Sequence, residues 1–202
     1  MIQLDFKTDY TLENETVLLR PLRKEDFDHL LHFSLNEPEL WTYSLIPANG
    51  IDNLEKYIDS ALNERSGNRS YPFIVFDKRS QQYAGCTRFY DLQLMHQTTQ
   101  LGYTWYGKDF HGTGLNKHCK YLMLEFAFET IGLERVEFRA DNRNKRSIFA
   151  MKSIGCQEEG VLRSNCASVD GRRDSIVLSI LKNEWFGTVK KNLQEKISAL
   201  KG

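Results

Sequence analysis

The run Trp105-Tyr106-Gly107-Lys108-Asp109-Phe110-His111-Gly112-Thr113-Gly114-Leu115-Asn116 joins a β-rich segment to a long amphipathic helix. Gly112 and Gly114 fall where strand becomes helix. The first N–H groups of a helix have no partner within it, and the helix dipole adds positive potential at that end. Together they form a ready anion site. A phosphorylated ligand held there, beside an open strand end, points to an enzyme that uses that ligand.

Upstream, Thr16–Arg20 reads as a first strand, closed by Pro21. A helix follows from about Lys24 to Asn36, with Phe27, Leu30, Leu31 and Ser34 on one face. Glu37-Pro38 stops it. Asp52 and Glu55 have capping-box spacing and open a second helix that turns Leu54, Tyr57, Ile58, Ala61 and Leu62 inward. Ser66-Gly67-Asn68 closes that helix. The period then changes to two. Tyr71–Asp77 and Tyr83–Leu92 flank a polar turn and predict an antiparallel hairpin, and Thr98–Tyr106 adds a third strand.

Downstream, Leu115, Cys119, Leu122, Met123 and Phe126 form one stripe on a helix that Gly132 ends. Arg135–Ala140 reads as a strand parallel to Thr98–Tyr106, joined to it by the helical crossover. A helix over Lys145–Ile154 stops at Gly155. Glu158–Arg163 and Ser175–Leu181 are closing strands, with Asp170-Gly171 at a turn between them. Asn183–Leu200 is a charged helix with the apolar stripe Trp185, Val189, Leu193, Ile197 and Leu200. The expected fold is α/β (mixed α+β): a central mixed, mostly antiparallel sheet with one parallel pair and helices on both faces. Residues 1–202 are expected to form one domain.

Composition narrows the function. Lys+Arg 27 against Asp+Glu 27 gives no net charge, which argues against general nucleic-acid binding. No run of about 18 apolar residues predicts a membrane span, and Met1–Lys7 lacks the layout of a signal peptide. Cys86, Cys119, Cys156 and Cys166 show no close pairing pattern and read as reduced thiols of a cytoplasmic protein. His29 and His32 lack further ligands at zinc spacing and read as exposed helix residues, so no metal is expected. His111-Gly112-Thr113-Gly114 lacks both a Gly-x-Ser-x-Gly nucleophile elbow elsewhere in the chain and the Gly-Lys-Ser/Thr ending of a P-loop.

From Leu12 to Trp185 the chain resembles the GCN5-related N-acetyltransferase (GNAT) superfamily, and most closely its RimJ/RimL type. Gly114 matches the central glycine of the Arg/Gln-x-x-Gly-x-Gly/Ala motif, with His111 and Asn116 at its two ends. Asn144 and Ser147 match an Asn-x-x-Ser helix start, and Gly155-Cys156 matches a Gly-Phe pair. Glu159-Gly160-Val161-Leu162-Arg163, Asp170-Gly171 and Arg173-Asp174 resemble the RimJ/RimL tail. The resemblance implies a GNAT fold with a splayed parallel strand pair and acetyl-CoA as cosubstrate. It implies acetyl transfer to a primary amine without a metal or a covalent intermediate. A homodimer is compatible with it.

On that resemblance His111, Gly112, Thr113, Gly114, Leu115 and Asn116 surround the pyrophosphate of CoA. Trp105 and Tyr106 flank its pantetheine through their main chain, and Asn144 holds the arm. Asn144 also suits a helix N-cap, and the two roles are compatible. Ser147 is the candidate donor to the leaving sulfur, directly or through water. Glu159 is the candidate general base, because Gln100 stands where many members carry an acid. A base acting through water needs a pKa raised toward neutrality. Lys117, Lys120, Arg143, Lys145 and Arg146 gather in sequence around the ligand, where a solvated basic face is the plain alternative.

The acceptor pocket is expected from the first two helices, the Asn36–Ile51 connection and the Arg163–Asp174 loop, with Trp41, Tyr43, Phe89 and Tyr90 as lining candidates. An α-amine titrates near about 8 and a lysine near about 10.4, so presenting a neutral lysine at pH 7 is harder by roughly 3 kcal/mol. A protein N-terminus is therefore the favoured acceptor. A small-molecule amine, such as a polyamine, amino sugar or drug, and a non-catalytic acyl-CoA-binding module are the alternatives.

Overall fold

A computed structural model describes residues 4–168 and 170–201 of the chain. Its strands are β1 (Leu12–Glu13), β2 (Val17–Pro21), β3 (Ser70–Asp77), β4 (Gln82–Gln93), β5 (Thr98–Tyr106), β6 (Arg135–Asp141), β7 (Gln157–Ser168) and β8 (Gly171–Leu181). They form one sheet in the order β1-β2-β3-β4-β5-β6-β8-β7. Among the described residues, only β5 and β6 pair in parallel. The helices α1 (Phe27–Asn36) and α2 (Ile51–Ser66) lie between β2 and β3. Helix α3 (Leu115–Glu125) and its π-helical extension Phe126–Ile131 make the crossover from β5 to β6, and α4 (Lys145–Ser153) leads from β6 to β7. A last helical run comprises α5 (Lys182–Glu184), a π-helical turn Trp185–Val189 and α6 (Lys190–Ser198).

Both faces of the sheet are covered, as two adjacent residues of β5 show. Trp105 packs edge-on against Phe33 of α1 and Tyr57 of α2. Thr104, one position earlier, accepts a hydrogen bond from Lys120 of α3 at 2.7 Å. Successive strand residues point to opposite faces, so α1 and α2 lie on one side and α3 on the other. Trp185 is fully buried, stacks 5.8 Å from Phe128 and donates its indole N–H to Glu129 at 2.7 Å, which fastens the C-terminal run beside the crossover.

The parallel pairing is short. Thr98, Thr99 and Gln100 face Arg135, Val136 and Glu137, and there the ladder ends. A bulge in β5 explains why. Against β4, Trp105 lies opposite Cys86 and Gly102 opposite Arg88, so three steps along β5 match two along β4. Tyr103 takes up the extra residue at φ +49°. A bulge bends its strand and sharpens the local twist. The buried guanidinium of Arg88 supports it from below, 3.5 Å from the centre of the Tyr103 ring. Meanwhile β6 stays paired with β8 along its whole length, from Arg135–Leu181 to Asp141–Ser175. One strand turns away and its neighbour does not, so the two splay.

Several local expectations are corrected. Asp52 and Glu55 form no capping box: α2 already begins at Ile51, its N-cap is Gly50, and Asp52 sits inside the first turn. The closing strands are longer than their apolar cores, because β7 and β8 pair out to Ser168–Gly171. Most of the supposed Arg163–Asp174 loop is therefore hairpin. Leu200 falls off the buried stripe and is 43% exposed. Phe89 is fully buried between Phe73 and Phe126 and does not line the cavity between β5 and β6. The two-residue β1 had no signal in the sequence. Among the described residues, no helix is long and apolar enough to cross a membrane.

Candidate active site

A cavity of about 780 Å³ opens where β5 and β6 part. Its walls are Leu101–Tyr106 of β5 and Phe138–Asp141 of β6, with the loop before α3 at one end. Trp41, Tyr43, Tyr90 and residues of β8 close the other. The gap between the strands is open rather than filled by side chains, and it is wide enough for an extended ligand arm.

The loop before α3 has the geometry of an anion cradle. Gly112 and Gly114 stand at φ +76° and +87°, in the left-handed region that favours glycine. Among the described residues, the N–H groups of Gly112, Thr113, Gly114 and Asn116 bond no other protein group. Unbonded amides at the start of a helix are what a diphosphate needs. The loop is braced from outside: Arg79 donates to the carbonyl of Thr113 at 3.0 Å, and the Thr113 hydroxyl donates to Phe110 at 2.9 Å. Leu115 is wholly buried and contributes packing alone. A Cβ on Gly114 would lie 2.4 Å from Cδ1 of Leu200, so the Leu200 side chain packs against this glycine.

His111 braces the mouth of the gap. Its Nδ1 lies 3.1 Å from the Arg146 guanidinium and its Nε2 lies 2.9 Å from the carbonyl of Tyr106. Arginine only donates, so Nδ1 accepts and the Nε2 proton is given to Tyr106. The imidazole ties the end of β5 to α4 across the opening. Asn144 caps α4 by accepting the Ser147 N–H at 3.0 Å, which leaves its amide N–H groups for the cavity it lines. Ser147, half-buried, lines the same wall. Trp105 and Tyr106 are in the wall as expected, their side chains packed into the core.

Of the basic cluster, Lys117, Lys120 and Arg146 line the cavity. Arg143 instead binds Asp141 at 2.7 Å and Asp170 at 2.5 Å, and Lys145 binds the carbonyl of Asn142. Lys120 is buried, and among the described residues its ammonium is held only by the hydroxyls of Thr104 at 2.7 Å and Thr87 at 3.1 Å. Burial without a carboxylate pushes its pKa down to about 7.

Glu159 is not brought to the cavity. Both its oxygens face Arg135, one of them at 2.6 Å from Nη2, and the Ser179 hydroxyl donates to it at 2.6 Å. The Arg135 guanidinium, followed by that hydroxyl, pulls its pKa down to about 2, opposite to the shift a base at neutral pH requires. Glu159 belongs to an ion pair on the sheet, beside Arg135 at the start of β6 and away from the splayed ends.

Two wall residues had no individual role in the sequence reading. Asp91 carries a cavity-lining carboxylate that accepts amide N–H groups from Gln100 and Gln93, each at 2.8 Å. Its signal was the hairpin register: Tyr90 pairs with Gln100, so the acid missing at Gln100 arrives from the neighbouring strand. Arg173, buried in β8, also faces the cavity. Lys117, Lys120, Arg139, Arg146 and Arg173 outnumber Asp91 and Asp141 along the wall. Among the described residues, no group of three or more His, Cys, Asp or Glu is placed to hold a metal ion.

The acetyltransferase (GNAT) domain family matches residues 16–157. The chain belongs to the GNAT acetyltransferase family. YdaF of Bacillus subtilis (strain 168), provisionally named a ribosomal N-acetyltransferase, is 25% identical over 86% of this chain and 96% of its own. Spermidine N(1)-acetyltransferase of Escherichia coli (strain K12) is 20% identical, over 87% of this chain and 91% of that protein. Mycobacterium smegmatis RimJ, solved in complex with CoA-disulfide, superposes with a TM-score of 0.77 over 93% of both chains at 18% identity. The expected superfamily and the parallel strand pair within a mixed sheet are borne out. The protein is an N-acetyltransferase, and acetyl-CoA is its donor.

Three outcomes follow for this GNAT enzyme. Gly114→Ala forces a side chain into φ +87° and against Leu200, and should weaken acetyl-CoA binding in calorimetry by about tenfold or more, roughly 1.4 kcal/mol. Glu159→Gln should leave kcat within about twofold. Its effect on urea stability at pH 7 should stay within about 1 kcal/mol, because the carboxylate is 41% exposed. Lys120→Met should alter the pH dependence of stability. A lysine with a lowered folded pKa penalises folding in full below about pH 7, and the penalty fades as pH rises toward about 10.4. Urea denaturation should show the stability of wild type relative to Lys120→Met rising across that window and flat below it.

Proposed function

We propose that this enzyme acetylates the α-amine of a protein or peptide N-terminus. The observation that carries the reading is the continuous cavity, running from the phosphate cradle through the strand gap to an aromatic end, with cations prevailing along its wall. Such a wall suits an anionic donor and opposes an acceptor that arrives as a polycation. An α-amine sheds its proton near about 8 and meets that opposition most easily. The likeness to YdaF and RimJ supports the same acceptor class, and the wall charge weighs against the polyamine class that the spermidine enzyme's name records.

Each group then has a task. The amides of Gly112, Thr113, Gly114 and Asn116 hold the diphosphate, and the amide N–H groups of Asn144 steady the arm in the gap. Acetyl-CoA supplies the acetyl group as a thioester. Asp91, poised by Gln93 and Gln100, takes the proton of the attacking amine, directly or through one water. Attack forms the C–N bond of the amide and breaks the C–S bond of the thioester. Ser147, at the first turn of α4, passes a proton to the departing sulfur.

The test is release of CoA thiol with three acceptors: a peptide with a free N-terminus, an N-terminally blocked peptide with an internal lysine, and spermidine. The free N-terminus should give the highest kcat/KM, and preference for lysine or spermidine would overturn the reading. Asp91→Asn should lower kcat by roughly 10²-fold in the same assay.

A further inference from the structure

Arg173 has no part in the steps above, yet its position is unusual for a cation. It projects from β8 into the acceptor end of the cavity and is 8% exposed. Its Nε donates to the Ser175 hydroxyl at 3.1 Å, and its Nη1 reaches the carbonyl of Tyr43 at 3.4 Å. Both partners are neutral. Among the described residues no carboxylate pairs with it. The carboxylates that could have done so are engaged. Asp141 is held by Arg143 at 2.7 Å, and Asp174, the next residue, accepts the N–H of Ser164 at 2.7 Å. Arg139, the neighbouring guanidinium in the wall, shows the contrast, since Glu137 binds it at 2.6 Å.

A buried guanidinium cannot escape its charge by losing a proton. With no carboxylate bonded to it and only the through-space charge of Asp141 to balance it, it carries a desolvation penalty. A protein retains such a group where a ligand brings the anion. The planar fork of arginine selects a carboxylate, which it can grip through two parallel hydrogen bonds. The surroundings fit the acceptor rather than the donor. Arg173 lies within electrostatic reach of Tyr90 and Tyr103, where its charge opposes the upward push of burial on both phenols. The phosphate cradle is formed by other residues, before α3. A fixed cation here also disfavours an ammonium nearby, and so favours the neutral, reactive form of an incoming amine.

We propose that Arg173 recognises the acceptor by binding a carboxylate carried close to the reacting amine. The substrates are then amino-carboxylates: a peptide N-terminus with an acidic residue in its first two positions, or a free α-amino acid. This rests on the α-amine chemistry argued above and adds a second group that the acceptor must carry.

Trp41 and Trp105 line the cavity, so tryptophan fluorescence reports acceptor binding without turnover. The probes are the C-terminally amidated peptides Ser-Glu-Ala-Ala and Ser-Gln-Ala-Ala, free glutamate and spermidine, each titrated with CoA present. Wild type should bind the Glu peptide or free glutamate about tenfold more tightly than the Gln peptide. Whichever of the two wins identifies the source of the carboxylate. Arg173→Gln should abolish that preference, with acetyl-CoA affinity unchanged, and Arg173→Lys should retain part of it. Four results would overturn the proposal: equal binding of the Glu and Gln peptides with no preference for glutamate; tightest binding of spermidine; a preference that survives Arg173→Gln; or an Arg173→Gln variant that loses acetyl-CoA instead, which would assign Arg173 to the donor phosphates. The wild-type comparison stands even if the variant fails to fold. Turnover separates the two readings. Carboxylate-blind acetylation of N-termini removes this proposal and leaves the α-amine reading, and carboxylate-selective binding without transfer to any N-terminus does the reverse.

Discussion

Every functional property of this protein descends from a ladder that stops too soon. β5 and β6 share three residue pairs and then separate. The separation comes from one surplus residue, Tyr103, lodged in β5 over the buried Arg88, while β6 remains fixed to β8. Had β5 continued straight, its amides would have been consumed by the neighbouring strand and the interior would have closed. The splay frees main-chain edges, makes room for an extended arm and aims β5 at the glycine loop. Sheet, gap and cradle are one construction.

Electrostatics divides the labour inside that construction. Carboxylates near the site are mostly neutralised by arginines, as in Asp141 with Arg143 and Glu137 with Arg139. Asp91 is tethered by two amides instead, which leaves its charge available. Among the described residues, two buried cations of the wall have no carboxylate bonded to them, Lys120 below the strand gap and Arg173 beside the acceptor end. One yields its proton easily and the other never does, so the same wall offers a titratable group and a permanent charge.

Much of the architecture was legible from short-range signals. Periodicity placed the strands from Val17 to Leu181, and Gly112, Gly114 and Gly132 marked the boundaries of the crossover helix. Those signals are local, and the structure honours them. What escaped was decided across strands. Glu159 looked like a free acid on a strand, but its charge is taken by Arg135, 24 positions away. Asp91 fell inside the expected strand Tyr83–Leu92 with nothing to mark it until the register set Tyr90 opposite Gln100. Arg173 passed as part of a tail pattern, because burial of its side chain depends on Tyr43 and Ser175, which only the folded chain brings near. Asn144 was the reverse case, its capping role following directly from the residue type and its place before α4.

The contact between Leu200 and Gly114 gives the tail of the chain a practical weight. The Leu200 side chain occupies the place that a Cβ on Gly114 would take. A residue 86 positions downstream thus shares in holding the head of α3 to glycine, and a smaller side chain at position 200 would relax that steric demand while leaving the left-handed backbone in place.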